Sequence, residues 1–267
     1  MKKIFIFIIF IFFTSNYSLG NNYKEIDKIT NLNKDLPSDS DSTLIIFRLD
    51  NTLIRLEQML GSIEWFENRK AQLQSLSDDK AIKQTLLEWL TIQNLTKCKL
   101  IDEDTNSVLQ DLQKIGYNLL IITERPFYLI RATHSQLKNL NLDLSSSYYG
   151  KQILVINNND NNEFSPIILK NGVLFTSGII NNINFSTALN LLFKQSDFPK
   201  NIVYIDQNKS HIEEIELFCQ KESINFTGVR FSTADKEIND FNEKIANIQL
   251  NYLQSFFSPE TLNLLMK

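Results

Sequence analysis

The chain has 267 residues, 43% of them hydrophobic and 22% charged, with a formal net charge of −4 and an isoelectric point near 5.4. That length suits one α/β domain carrying an insertion. The mild acidity excludes the global basic balance that nucleic acid or an anionic membrane surface would call for.

Lys2 and Lys3 precede an apolar run from Ile4 to Phe13, and Ser18-Leu19-Gly20 follows with small residues at signal-peptidase spacing. The run is shorter than the ~20 apolar residues of a membrane span. Residues 1–20 therefore read as a signal peptide, and an uncleaved N-terminal anchor is the alternative. The mature protein is expected to be exported, periplasmic or secreted, with no stable membrane anchor once the signal is removed. Residues 21–42, polar and carrying Pro37, read as a flexible lead-in.

An apolar strand from Leu44 to Leu49 opens the folded part. From Leu56 to Lys97 the pattern turns helical, first through Leu56, Met59, Leu60 and Ile63, then through Ile82, Leu86, Leu87 and Leu90. This helical pair, residues 56–97, stands where a cap would be inserted, between residues 43–55 and residues 98–267 of the core. Asp104 or Thr105 opens a helix that Gly116 closes. Tyr117–Thr123 is a near-continuous apolar strand of the parallel-sheet kind, and a helix runs from Phe127 to Leu140.

Strands at Ile153–Ile156, Ile167–Leu169 and Val173–Thr176 follow, with a loose turn over Asn157–Asn162 and a tight one at Asn171-Gly172. Phe185–Phe193 is helical, Ile202–Ile205 is a strand, His211–Gln220 is helical, Asn225–Phe231 is a strand, and helix resumes from Ala234. Strands alternating with helices predict an open, mostly parallel α/β sheet flanked by helices. In such sheets ligands bind at the C-terminal strand ends. Three of those ends are polar: Arg48, Asp50 and Thr52; Thr123; and Asp206 with Gln207.

The order of these ends resembles the motifs of the haloacid dehalogenase (HAD) superfamily in its phosphatase branch. Residues 43–53 read Thr-Leu-Ile-Ile-Phe-Arg-Leu-Asp-Asn-Thr-Leu, which is the family's Asp-x-Asp-x-Thr motif with Arg48 in place of the first Asp. Leu119–Arg125 is similar to its second motif and Ile202–Gln207 to its acidic fourth. More closely, Asn171–Ser177 resembles a stretch of a secreted bacterial HAD-like group known as a domain of unknown function. The resemblance implies a HAD-like Rossmannoid sheet with a helical cap.

In active relatives the first Asp attacks phosphorus and binds Mg²⁺. Carried over position by position, Asp50 matches the acid/base and a metal ligand through its backbone carbonyl. Thr52 and Thr123 match phosphate-binding hydroxyls, and Asp206, with Gln207 beside it, the metal site. The family's lysine is expected near Phe185, where Asn181–Ser186 stands instead; Lys170 and Lys194 are the nearest lysines in sequence.

Arg48 stands in the nucleophile position, and a guanidinium is neither a nucleophile nor a metal ligand. At ~4 Å and an effective dielectric of about 20 it would repel a divalent ion by about 8 kcal/mol. The sequence therefore predicts that Arg48 replaces the metal by forking to Asp50 and Asp206. The leading expectation is a catalytically impaired or inactive relative that binds a phosphate-containing ligand or a protein partner. The rival is an active Mg²⁺-dependent phosphomonoester hydrolase with an altered nucleophile. The third reading is an interaction protein with a vestigial pocket.

Arg125 reads as a surface or salt-bridge residue, and His134 and His211 as surface or packing residues. Cys98 and Cys219 either pair in an oxidising compartment or stay as buried thiols; their spacing leaves both open.

Overall fold

The structure, a computed structural model, describes residues 23–34, 36–73, 77–156, 166–181 and 183–255. The expected signal peptide, the Asn157–Asn162 turn and the end of the C-terminal tail lie outside the described residues.

The strands are β1 (Tyr23–Ile26), β2 (Thr43–Arg48), β3 (Ile54–Leu56), β4 (Cys98–Leu100), β5 (Asn118–Thr123), β6 (Ile153–Ile156), β7 (Ile167–Lys170), β8 (Val173–Phe175), β9 (Asn201–Asp206) and β10 (Asn225–Phe231). The helices are α1 (Ile63–Gln72), α2 (Asp78–Leu95), α3 (Thr105–Ile115), α4 (Ile130–Asn139), α5 (Gly178–Asn181), α6 (Phe185–Phe193), α7 (Lys209–Glu222), α8 (Asp235–Asn239) and α9 (Glu243–Gln254).

Eight strands form one sheet in the order β1-β10-β9-β2-β5-β8-β7-β6, parallel from β1 to β8 and closed by the antiparallel pair β7 and β6. This is an α/β fold with a mostly parallel central sheet flanked by helices.

The side-chain alternation of the central strands builds two cores. Ile45 and Phe47 of β2, Leu119 and Ile121 of β5 and Val203 and Ile205 of β9 face α3 and part of α4. Leu44, Ile46, Leu120, Ile122, Ile202 and Tyr204 face α6 and α7. Both faces are covered, so these strands are apolar at nearly every position. The chain leaves β2 for β5 on one side and returns to β9 on the other. The reversal falls beside β2, and the C-terminal strand end at such a reversal is the usual ligand position in open α/β sheets.

Turn residues act where the backbone needs them. Gly116 ends α3 at φ 104°. Asn171 and Gly172 take φ 47° and 77°, the left-handed pair of a two-residue hairpin between β7 and β8.

Two expectations are corrected. Residues 21–42 are not a loose lead-in throughout: β1 pairs in parallel with β10, and Ile29 and Leu32 are buried in a 3-10 turn at Ile29–Lys34. The strand covers what would otherwise be an open sheet edge, and three apolar side chains anchor it amid polar neighbours. The helical segment also does not begin at Leu56. Ile54–Leu56 pairs antiparallel with Cys98–Leu100, so a two-stranded ribbon forms the stem from which α1 and α2 extend.

Those helices share a third core with the C-terminal segment: Trp65, Phe66, Trp89 and Ile92 pack with Leu129, Ala132, Ala246 and Leu250. Helix α9 thus belongs to the helical body over the sheet, outside the 56–97 stretch expected to make that body alone. Cys98 and Cys219 pack on opposite faces of the sheet as free thiols, and burial pushes each up to about 12.

Candidate functional site

Beyond Arg48 the chain folds back on itself. The Leu53 and Ile54 amides both donate to the Leu49 carbonyl, and Asn51 turns the corner at φ 60°. Thr52 is fully buried in this turn, and its Oγ1 accepts from the Gln207 backbone N–H at 3.1 Å. Its hydroxyl ties the β2 loop to the β9 loop.

Arg48, Asp50, Thr123 and Asp206 converge at the C-terminal strand ends, but their partners differ from the expected fork. Arg48 is 4% exposed and gives Nη2 to Glu124 Oε2 at 2.7 Å. Its guanidinium lies over the Phe185 ring, 4.8 Å from the centroid. Nη1 is buried with no hydrogen-bond acceptor among the described residues.

Asp50 belongs to Arg125 instead. Arg125 Nη2 meets Asp50 Oδ1 at 2.6 Å, Nε lies within 3.2 Å of both carboxylate oxygens, and Thr123 Oγ1 donates to Oδ2 at 3.2 Å. Arg125 is itself 1% exposed, and its Nη1 donates to Gln136 Oε1 and Thr133 Oγ1. Asp206, 2% exposed, accepts from the Tyr204 hydroxyl at 2.8 Å and the Asn208 amide at 2.8 Å, with His211 Nδ1 at 2.8 Å. Gln207 turns its side chain away, to Asp235.

The expectation that Arg48 forks to Asp50 and Asp206 is therefore corrected. Each of those carboxylates accepts from other donors, and Glu124 is the acid that hydrogen-bonds to Arg48.

The electrostatics follow. Burial alone would lower the Arg48 guanidinium, but the charges of Glu124, Asp206 and Asp50 outweigh it and hold it above the ordinary arginine range. Burial alone would raise Asp50, but the charge and hydrogen bonds of Arg125, the charge of Arg48 and the Thr123 hydroxyl hold it below the usual carboxylate range.

A depressed folded-state value contributes stability above the unfolded value of ~3.9, and that stability is lost as pH falls through the folded value. Urea unfolding of wild type and Asp50→Asn along a pH series should therefore show a gap that is constant above about pH 5 and narrows below about pH 4. A gap that widened on acidification would contradict the pairing.

A hard cation takes carboxylate oxygens; here Asp50 accepts from Arg125 and Thr123, and Asp206 from Tyr204 and Asn208. Among the described residues no group of three or more His, Cys, Asp or Glu side chains is placed to hold a metal ion.

Neither lysine nearest in sequence stands at the site. Lys170 pairs with Val173 at the start of β8, level with Ile121 and short of the Thr123 strand end. Lys194 caps α6 at the end away from Phe185, roughly 13 Å along the axis.

Four residues of the cluster carry no clear signal in the sequence. Glu124 and Arg125 follow the β5 strand end, and only folding shows that one serves β2 and the other its loop. Tyr204 reads as an apolar strand residue. His211, read as surface or packing, stands one helical turn into α7 with its ring edge on Phe185 at 5.0 Å. Arg48 and His211 thus flank one aromatic ring. His134 lies half-buried on α4 with its ring edge on Phe175, where burial and then the Lys170 charge lower its pKa.

Residues 25–263 match the family described as "Protein of unknown function (DUF2608)". The chain belongs to this family. It is 28% identical over 237 residues to a "Putative outer membrane protein" of Chlamydia pneumoniae, covering 87% of this chain and 86% of that one. A second protein of that name and organism is 26% identical over 270 residues, covering 99% and 98%. An uncharacterized protein of Rickettsia prowazekii is 25% identical over 214 residues, covering 77% and 75%.

These matches correct the expected membership of the haloacid dehalogenase superfamily. The matching family carries a description of unknown function, and these relatives carry no phosphatase or dehalogenase name. Apolar strands ending in polar residues are what any parallel α/β sheet presents at its ligand edge, so the motif-level likeness does not identify a family. Among the described residues no helix is long and apolar enough to cross a membrane.

Proposed function

We propose that this member of the DUF2608 family is an exported protein that binds a phosphate-containing small molecule through Arg48 and does not hydrolyse it. The observation that carries the reading is the buried Nη1 of Arg48, which has no acceptor at the strand-order reversal of the sheet. Buried donors left without partners are rare and costly, and arginine favours oxyanions that offer two oxygens. Against turnover stands the chemistry of the neighbours. Arg48 is not a nucleophile, and Asp50 is held ionised by Arg125, which leaves it no proton to donate. Export is supported by the charged and apolar N-terminal run and by the names of the chlamydial relatives.

The test is thermal unfolding with and without inorganic phosphate, at matched ionic strength, on wild type and Arg48→Met. At a phosphate concentration near 100 times Kd the native state gains about 2.7 kcal/mol. That corresponds to a rise of about 8 °C in a chain of this size. Arg48→Met should show no rise. Turnover of a generic phosphomonoester that depends on Mg²⁺ and disappears in Asp50→Ala would overturn the reading.

A protein partner is the second reading, and helix α9 favours it. Ile245, Ile248 and Tyr252 recur at helical spacing on its outer face, 43%, 55% and 69% exposed. The opposite face, Ala246 and Leu250, is already buried.

A further inference from the structure

We infer that Glu124 is an internal occupant of the Arg48 site, displaced when a ligand oxyanion presents two oxygens to the guanidinium. The inference rests on the anion-binding reading and adds how the ligand enters.

Three observations carry it. First, Glu124 meets Arg48 through Nη2 and leaves Nη1 without an acceptor. A carboxylate or phosphate lying along the Nη1–Nη2 edge satisfies both donors, the arrangement that arginine recognition favours. Second, among the described residues the other acids near Arg48 already have partners of their own. Asp50 is held by Arg125 and Thr123, and Asp206 by Tyr204, Asn208 and His211. Both also sit deep, at 11% and 2% exposure, whereas Glu124 is 33% exposed and can turn into water. Third, the exchange preserves charge balance, because one anion replaces another beside a guanidinium that stays protonated. Phe185 supports the Arg48 plane throughout, so the binding edge keeps its orientation while Glu124 moves.

Glu124 therefore sets a threshold on affinity. A weak single-oxygen acceptor cannot compete with a tethered carboxylate, but a phosphate that fills both donors can. The residue selects for bidentate oxyanions by standing in the place of one.

The experiment is calorimetric titration of inorganic phosphate into wild type, Glu124→Gln, Glu124→Asp and the double variant Arg48→Met/Glu124→Ala. Removing the competing charge should tighten phosphate binding about tenfold in Glu124→Gln, the worth of roughly one charge-assisted hydrogen bond. Glu124→Asp keeps the charge on a shorter stem, so it should fold as wild type does and bind more tightly than wild type. The double variant removes the Arg48–Glu124 pair as a whole and should fold without binding phosphate.

Equal affinity in wild type, Glu124→Gln and Glu124→Asp, with binding lost in the double variant, would overturn the exchange and leave the anion site standing. Phosphate binding by none of the four would overturn both. Binding by Glu124→Gln where wild type shows none would also overturn the exchange, because Glu124 would then block the site rather than yield to phosphate.

Discussion

Arg125→Met should destabilise the protein by about 3–5 kcal/mol, because it leaves Asp50 as a buried carboxylate without its counter-charge. Asp50 would lose the Nε and Nη2 donors, and Gln136 and Thr133 would lose the Nη1 donor. The thioether of methionine preserves much of the side-chain volume, so the loss reports electrostatics more than packing. In thermal unfolding this corresponds to a fall of about 10 °C or more.

The companion variant is Asp50→Asn/Arg125→Met, which removes both charges and should recover a large part of the loss. Buried ion pairs replaced as a whole are often close to neutral in stability. A cost under about 1 kcal/mol for Arg125→Met would mean that water reaches the pair and that it behaves as a surface bridge.

Trp89→Ala should cost about as much, about 3–5 kcal/mol, through a different cause. Trp89 is fully buried where the helical body meets the start of α4. Its Nε1 donates to the Gly61 carbonyl at 2.7 Å, its ring meets Phe66 edge-on at 5.1 Å, and the Arg125 guanidinium lies 6.0 Å from it. Truncation would empty this volume and remove one face of the environment that orients Arg125.

Trp89→Phe separates the contributions. It keeps an aromatic ring, and Gly61 still accepts from Gln93 Nε2 at 2.8 Å, so the carbonyl is not orphaned. A cost of roughly 1–2 kcal/mol is expected. Denaturant unfolding fitted by linear extrapolation measures both variants. Equal costs for the alanine and phenylalanine variants would place the energy in the hydrogen bond rather than in packing.

Much of the sheet was legible in the sequence because the interior strands are buried on both faces. Leu44–Leu49, Tyr117–Thr123 and Ile202–Ile205 are nearly unbroken apolar runs, and the strands at 43–48, 118–123 and 201–206 coincide with them within a residue or two. Phe185–Phe193 and Asn225–Phe231 also form over the expected residues. Segments whose order comes from pairing with distant chain were not legible. β1 owes its strand to β10, roughly two hundred residues away, and Ile54–Leu56 owes its strand to Cys98–Leu100. Local pattern carries little trace of such pairing, since a short strand is stabilised by its neighbour rather than by its own periodicity.

The likeness to a known phosphatase motif shows the same limit from the other side. Residues 48–52 carried enough of the pattern to suggest a family, and comparison with related chains assigned a different one. What the local sequence encoded there was a strand followed by a polar turn.

By itself the sequence determined that polar residues would gather at the C-terminal ends of β2, β5 and β9, because apolar periodicity dictates where strands end. It also determined that the central end would carry a permanent cation, Arg48, since no environment in a protein deprotonates a guanidinium. Only the tertiary structure decided which acid answers which base. Arg48 and Arg125 had Asp50, Glu124 and Asp206 within reach. The outcome, Arg125 with Asp50 and Arg48 with Glu124, depends on where β5 sets two adjacent side chains relative to β2. Ion pairing depends on distance and solvent exclusion, and both are properties of the packed molecule.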